Sequence, residues 1–397
     1  MEEISYMRGN QAAGLGAKLA RIEVMGAYPI PPSSEVMEQI RTYIDKGELK
    51  CGYVETEGEK SSHLVTYGAA ISGVRAFNAT SGQGIAYMME GLHLQSGTRV
   101  PAVIAVANRT LFAPHGMHPD HQDTVSARDT GWIQFHCESV QEILDTIIQA
   151  FKVAEHEEVM LPAFVCYDGY YLSHSLEKVT IPDQKEVDDF LPMYHPGENS
   201  YVGPNGLPMS TAGPMYDPWM TEFRYIAYMA LNQNAKRVIN EVDDEFGKKF
   251  GRKYGGLIDS YLTEDAEVLL VTTGSNTATA RFTTDIMRRN GKKIGVIKIR
   301  VFRPYPREAL CELLEKSKAR VIIVLDRSPF GAYTDEAMAA LYNLKDKPLV
   351  KGFICGQCGR DITPYNMIDM ATQGFDIARK GYVDQPVEFY FLRKKEG

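Results

Sequence analysis

Several things are scarce or missing in this 397-residue sequence, and each absence narrows the function. No window approaches the ~18 consecutive apolar residues of a membrane-spanning helix, and the acidic, polar start MEEISYMRGN lacks the pattern of a secretory signal. A cytoplasmic protein is therefore expected, with no membrane partner. No run of lysine and arginine exceeds three residues and the formal net charge is −8, which argues against a nucleic-acid surface. The six cysteines, Cys51, Cys137, Cys166, Cys311, Cys355 and Cys358, are scattered, so neither a disulfide framework nor a four-thiolate cluster set is present. The single close pair, Cys355-Gly-Gln-Cys358, reads as two small residues in a glycine-rich turn rather than half a zinc site. Thr80-Ser-Gly-Gln-Gly84 is followed by no Gly-Lys-Ser/Thr, so it is not a Walker A loop. Gly-x-Ser-x-Gly is also missing, which removes support for an α/β-hydrolase nucleophile.

What is present is a globular composition, 44% hydrophobic and 24% charged, long enough for two or three domains. Short apolar runs alternate with stretches of helical spacing. Strands are expected near 52–56, 74–78, 100–107 and 159–165. Residues 9–24 read as a helix running into a short strand, and further helices are expected over 35–46, after 57–62 to about 73, after the turn 80–84 to about 93, and over 139–155, the last carrying Val140, Ile143, Leu144, Ile147, Ile148 and Phe151 on one face. Such alternation predicts an α/β fold with a parallel sheet and a site at the strand C-termini. By that rule, segments 28–33, 57–61, 80–83, 109–123 and 168–174 should share one rim. A block at 192–221, rich in proline and glycine, reads as an arm that wraps a partner or second protomer. A long helix is expected over 226–250, then a fresh α/β unit from Ala266 with strands at 268–272, 294–299 and 321–326. The expected domains are 1–262 and 263–397.

Two places on the expected rim hold candidate chemistry. The loop after the apolar strand 100–107 carries Arg109, His115, His118, His121, Asp120, Asp123 and Asp129 together with two prolines, so it is neither a regular helix nor a central strand. The three imidazoles admit a metal reading, but no known ligand motif supports one, and no metal is assigned to this chain. Glu57 and Glu59 stand at a strand end; a carboxylate there can give or take a proton, or simply favour a helix N-terminus.

Taken together the segments resemble the α subunit of the 2-oxoacid:acceptor (ferredoxin) oxidoreductases, typified by pyruvate:ferredoxin oxidoreductase. The resemblance rests on Gly9-Asn10, Tyr28-Pro-Ile-x-Pro-Ser33, Glu57-x-Glu59, Ala79-Thr-Ser-x-Gln-Gly84, Asn108-Arg109 with Asp120-His-x-Asp123, Arg128-x-Thr-Gly-Trp132, Asp168-Gly-x-x-x-Ser-His174, and Phe302-Arg-Pro304 with Leu325-Asp-Arg327. It covers nearly the whole chain. It implies a pyrimidine-binding thiamine diphosphate domain followed by a transketolase C-terminal-like domain. It also implies catalytic roles for Glu59 and Arg109. Glu59 would contact N1′ of the aminopyrimidine and favour the imino tautomer that takes up the C2 proton. Arg109, a planar fork, would receive the substrate carboxylate. Pro29, Glu59, Thr80, Ser81 and Gln83 would face the cofactor, and Pro31, Phe112 and His115 would join Arg109 around the substrate.

The Gly-Asp-Gly…Asn half-site for Mg²⁺ and diphosphate does not occur in this chain. The resemblance therefore places Mg²⁺ and the diphosphate in a β subunit, and [4Fe-4S] clusters in partner subunits only. The other expected partners are a γ subunit, a ferredoxin-like δ subunit and a candidate NAD- or FAD-binding electron-transfer subunit, in a dimer of hetero-oligomers that uses CoA as co-substrate. Position 31 is Pro where pyruvate enzymes carry Thr and oxalate-acting relatives carry Arg. Phe112 stands where the oxalate relatives have an acid. A more apolar pocket is the expectation, suited to an aryl 2-oxoacid such as phenylglyoxylate. The alternatives are pyruvate, oxalate or another aliphatic 2-oxoacid, and a non-catalytic scaffold subunit. A transketolase-type enzyme is disfavoured by the missing diphosphate motif.

Overall fold

The computed structural model describes residues 3–196 and 218–393, so most of the proline- and glycine-rich arm expected at 192–221 lies outside the described residues. In chain order the strands are β1 (Glu3–Arg8), β2 (Val24–Ala27), β3 (Gly52–Glu55), β4 (Ala76–Thr80), β5 (Val103–Asn108), β6 (Ile133–His136), β7 (Ala163–Asp168), β8 (Leu176–Ile181), β9 (Ile258–Tyr261), β10 (Val268–Thr272), β11 (Ile294–Ile299), β12 (Val301–Arg303), β13 (Val321–Asp326), β14 (Leu349–Ile354) and β15 (Val387–Phe389). A seven-stranded sheet runs β12-β6-β7-β5-β4-β2-β3, a six-stranded sheet runs β15-β14-β13-β10-β11-β9, and β1 pairs with β8. In the two large sheets every pairing is parallel except the edges β12 on β6 and β9 on β11.

The expected α/β class is the observed one, and two-sided burial explains why the strands read so clearly. Along β5, Val103, Ala105 and Ala107 pack with helices Gly9–Leu19 and Val140–Ala154, while Ile104 and Val106 pack with Ile85, Met88 and Leu92 of helix Gln83–Gly97. A parallel strand covered on both faces has no polar side, so its sequence is an unbroken apolar run. The same alternation divides β10, with Leu269 and Val271 in one cluster and Val268 and Leu270 in another. Trp132 is fully buried on the first sheet, stacked on Phe164 with centroids 4.4 Å apart, and its indole N–H donates to the Leu92 carbonyl at 2.9 Å.

Several boundaries differ from the sequence reading. β7 begins at Ala163 rather than near 159, because Met160 turns left-handed (φ 44°) and Pro162 offers no N–H. The helix expected over 226–250 starts earlier and is interrupted: Met220–Met229, a π-helical turn Ala230–Asn234, then Ala235–Phe250, ended by Gly251 at φ 68°. β11 delivers Lys298, and just beyond it Arg300, into the helix layer of the first sheet. There they meet the fully buried Glu142 at 2.6 and 3.1 Å. No helix among the described residues is long and apolar enough to cross a membrane.

Candidate active site

Because β2, β3, β4, β5 and β7 are parallel neighbours, the segments that leave their C-terminal ends emerge on one rim of the sheet. Packing at this rim is tight. A Cβ at Gly169 would lie 2.7 Å from the Asn108 carbonyl oxygen, 3.0 Å from Pro32 Cγ and 3.1 Å from the Met117 carbonyl oxygen. Only glycine lets those three segments meet there. Asn10, buried at the start of the first helix, donates to the Pro32 carbonyl at 2.7 Å and accepts from the Tyr167 hydroxyl at 2.9 Å, which ties segment 28–33 to the strand ends.

Glu59 is the first residue of helix Glu59–Ile71 and is half-buried. It leans over the start of helix Gln83–Gly97. A Cβ at Gly84 would fall 2.2 Å from Thr80 Oγ1 and 2.9 Å from Glu59 Cγ, so position 84 has no room for one. Glu57, the other candidate carboxylate, is exposed; the Ser61 hydroxyl donates to it and holds it below the usual carboxylate range. Between the two helices, Thr80 Oγ1 and Ser81 Oγ are buried with no hydrogen-bond partner in the described chain. Buried polar atoms normally find partners, so two orphaned hydroxyls beside a carboxylate mark a place for a polar ligand.

Arg109 reaches the same place. Burial lowers its pKa, and the charges of Asp123 and Glu59 oppose that shift. Its Nη2 donates to Gln83 Oε1 at 2.8 Å, and its Nε is buried without a partner. Gln83 in turn donates from Nε2 to the carbonyls of Thr110 (3.4 Å) and Leu111 (3.3 Å), so its amide is engaged by the arginine and the loop. The loop is closed by Thr110, whose hydroxyl donates to the Gly116 carbonyl at 2.7 Å and accepts from Gly116 N–H at 2.6 Å. Phe112 and His115 sit exposed at its tip. Phe112 meets Phe330 edge to face, with ring centroids 5.5 Å apart. Pro29 and Pro31 are exposed on the neighbouring segment.

The rest of the loop docks onto the second sheet. His121 Nε2 lies 2.8 Å from Asp168 Oδ1, and its Nδ1 lies 3.0 Å from the Tyr333 hydroxyl. The other Asp168 oxygen accepts from Arg327 at 2.6 Å and from Ser275 N–H at 3.0 Å. Burial alone would raise the Asp168 pKa, but Arg327 and His121 outweigh it and hold the carboxyl well below the usual range. His136, 5.0 Å from His121 between ring centroids, is kept neutral by burial. Asp120 is pushed up to about 6 by burial, with the Asp123 charge acting in the same direction. His118 instead stacks on Tyr170, which stacks on His174. The three imidazoles of the loop therefore part company, and among the described residues no group of three or more His, Cys, Asp or Glu side chains is placed to hold a metal. Cys355 is buried at the end of β14 and Cys358 is exposed. Sequence reasoning assigns no role to Asp168, Tyr333, Arg327 or Phe330; only the first and third of these are visible in it, as motif members.

Comparisons with known proteins place the chain in a family. Residues 15–244 match the family described as pyruvate flavodoxin/ferredoxin oxidoreductase, thiamine diphosphate-binding, and residues 266–367 match pyruvate:ferredoxin oxidoreductase core domain II. Pyruvate synthase subunit PorA of Pyrococcus abyssi is 43% identical over 394 residues, 98% of this chain and 98% of that one. The α subunit of NADH-dependent phenylglyoxylate dehydrogenase from Aromatoleum evansii is 40% identical over 373 residues, 91% of this chain and 88% of that one. The solved 2-oxoglutarate:ferredoxin oxidoreductase from Magnetococcus marinus superposes with a TM-score of 0.73 at 20% identity, covering 94% of this chain; this chain spans 65% of that one's length. That likeness is one of α/β fold. The chain belongs to the pyruvate flavodoxin/ferredoxin oxidoreductase family, in which it corresponds to the α-type subunit.

Proposed function

We propose that this chain is the α subunit of a multi-subunit enzyme that oxidatively decarboxylates a 2-oxoacid. The 2-oxoacid and CoA become acyl-CoA and CO₂, releasing two electrons and a proton, and the electrons pass to [4Fe-4S] clusters held by partner subunits. A β subunit holds Mg²⁺ and the diphosphate end of thiamine diphosphate; γ and ferredoxin-like δ subunits and an NAD- or FAD-binding companion complete the electron path. The observation that carries this reading is the meeting of Glu59, the orphaned Thr80 and Ser81 hydroxyls and the unpartnered Arg109 Nε on one rim. These groups fit the pyrimidine side of the cofactor and an anionic substrate: a carboxylate for a ring N–H, hydroxyls for ring polar atoms, and a guanidinium for a carboxylate.

When bound, thiamine diphosphate supplies the electron sink for loss of CO₂. This chain supplies the rest of its half of the site. Glu59 holds a proton-accepting charge against the ring. Thr80 and Ser81 orient the ring through their hydroxyls. Arg109, braced by Gln83, fixes the oxoacid carboxylate, and Phe112 with Phe330 offers an aromatic wall beside the loop. That wall, with proline at position 31, supports an aryl 2-oxoacid such as phenylglyoxylate. A second reading, pyruvate, is favoured by the pyruvate synthase relative that matches 98% of the chain. Steady-state CoA-acylation by the purified complex with phenylglyoxylate, pyruvate and oxalate separates them. The aryl acid is expected to lead in kcat/KM by about tenfold or more, the scale on which an apolar pocket discriminates. A lead for pyruvate or oxalate overturns the aryl assignment.

A further inference from the structure

We infer that Asp123 is a positioning residue that sets the spacing between the cofactor-facing turn and the substrate-facing arginine. The inference rests on the function proposed above and adds to it a residue that never touches substrate. Asp123 is fully buried in the short helix Gln122–Ser126. Its Oδ2 accepts from Gly82 N–H at 3.1 Å and from Arg109 N–H at 3.0 Å. Its Oδ1 accepts from Asn108 Nδ2 at 2.7 Å and from Thr124 N–H at 2.8 Å. A carboxylate offers about four lone-pair sites, and all of them are taken.

The two donors to Oδ2 follow different strands, β4 and β5. The β4–β5 ladder ends at the pair Thr80↔Val106, so Gly82 and Arg109 lie beyond the last rung, where nothing in the sheet fixes their separation. Asp123 Oδ2 replaces the missing rung. It binds the turn that carries Thr80, Ser81 and Gln83 to the first residue of the substrate loop, with no third group between them. Burial raises the Asp123 pKa above the ordinary carboxylate value, and the surrounding N–H donors oppose that shift without cancelling it. Gln83 links the same two segments from the outside, through the Arg109 guanidinium and the carbonyls of Thr110 and Leu111. The arginine is thereby held at both ends, and the fork is aimed before substrate arrives. Small displacements of such a group are costly: a misplacement of about 1 Å can lower a rate by about 10²-fold.

The test is Asp123→Asn in the assembled complex. Asparagine keeps one accepting oxygen and turns an NH₂ toward two of the four donors. The KM for the 2-oxoacid is expected to rise about tenfold or more, alike for every 2-oxoacid tried, since each presents a carboxylate. The KM for CoA should stay within about twofold, because the bonds lost brace the oxoacid-facing arginine. A lower melting temperature with an unchanged oxoacid KM means a purely structural role and overturns the inference. If Asp123→Asn does not assemble, Asp123→Glu is measured instead. It keeps the charge but moves the acceptor by about one bond, so a normal oxoacid KM in that variant overturns the inference equally. Glu59→Gln run in parallel tells this failure from failure of the proposed function. A dead Glu59→Gln beside an unaffected Asp123→Asn sinks only the positioning role, whereas an active Glu59→Gln sinks the reading beneath it.

Discussion

Replacing Glu59 by glutamine in the assembled complex is expected to lower kcat by about 10²–10⁴-fold, the range that a positioned acid–base group contributes. Glutamine matches glutamate in length and keeps one oxygen acceptor, so the packing over Gly84 and Thr80 survives. What it removes is the negative charge, and with it the ability to hold a proton at the ring nitrogen. Since the diphosphate end is assigned to a partner subunit, cofactor affinity should fall far less than turnover. Glu57→Gln is the matched control. Glu57 stands two residues away, exposed and bonded to Ser61, and its loss should leave kcat within about twofold, the usual result for a surface substitution away from such features. The measurement is the oxoacid-dependent rate of CoA acylation, with assembly checked by size-exclusion chromatography. An assembled Glu59→Gln complex that turns over normally leaves the scaffold reading standing and removes the catalytic one.

Much of this rim is legible in the amino-acid sequence. The apolar runs that form β5 and β7 announce buried parallel strands, and parallel order forces their following loops onto one side. Topology alone thus groups Glu59, Thr80, Ser81 and Arg109. The use of each side chain is not legible in the same way. Gln83, assigned to the cofactor side by resemblance, spends its amide on Arg109 and two loop carbonyls. Trp132 closes one of the motifs that carry the resemblance, yet it fills the core against Phe164. Phe330 lies in the turn after β13 of the second sheet, and no local pattern ties it to Phe112 more than two hundred positions earlier. The edge strands β1, β8, β12 and β15 are short or half-exposed, so they carry no unbroken apolar run to betray them.

Buried charge is the least legible feature, and it carries the largest expected effect on stability. Glu142→Ala is expected to destabilise the full chain by about 3–5 kcal/mol, the usual cost of removing one partner from a buried ion cluster. Glu142, Lys298 and Arg300 are each no more than 2% exposed, with Glu142 2.6 Å from the ammonium and 3.1 Å from the guanidinium. Without the carboxylate, two cations remain in the layer between the sheets. Arg300 keeps Asp243 at 3.7 Å and its bonds to the Gly256 carbonyl, Thr146 and Gln149, whereas Lys298 keeps, among the described residues, only Glu138 at 3.4 Å. If unpaired charge is the cause, adding Lys298→Met to Glu142→Ala should recover part of the loss, a coupling that a double-mutant cycle reads directly. Glu241→Ala, which breaks an exposed pair with Arg237, should cost no more than about 1 kcal/mol. Urea midpoints of the purified chain give all of these values. The pH dependence follows from the direction of the shift. Burial alone would raise the Glu142 pKa, but Lys298 and Arg300 outweigh it and hold the carboxyl below its ordinary value. A lowered folded-state pKa means that the stabilisation is complete above the unfolded pKa of about 4.3. It is lost as the pH falls through the folded value. The gap between wild type and Glu142→Gln should therefore stay level from neutral pH to about 5 and close in stronger acid. A gap that closes instead on the alkaline side would mean that the cluster is not held together by this carboxylate.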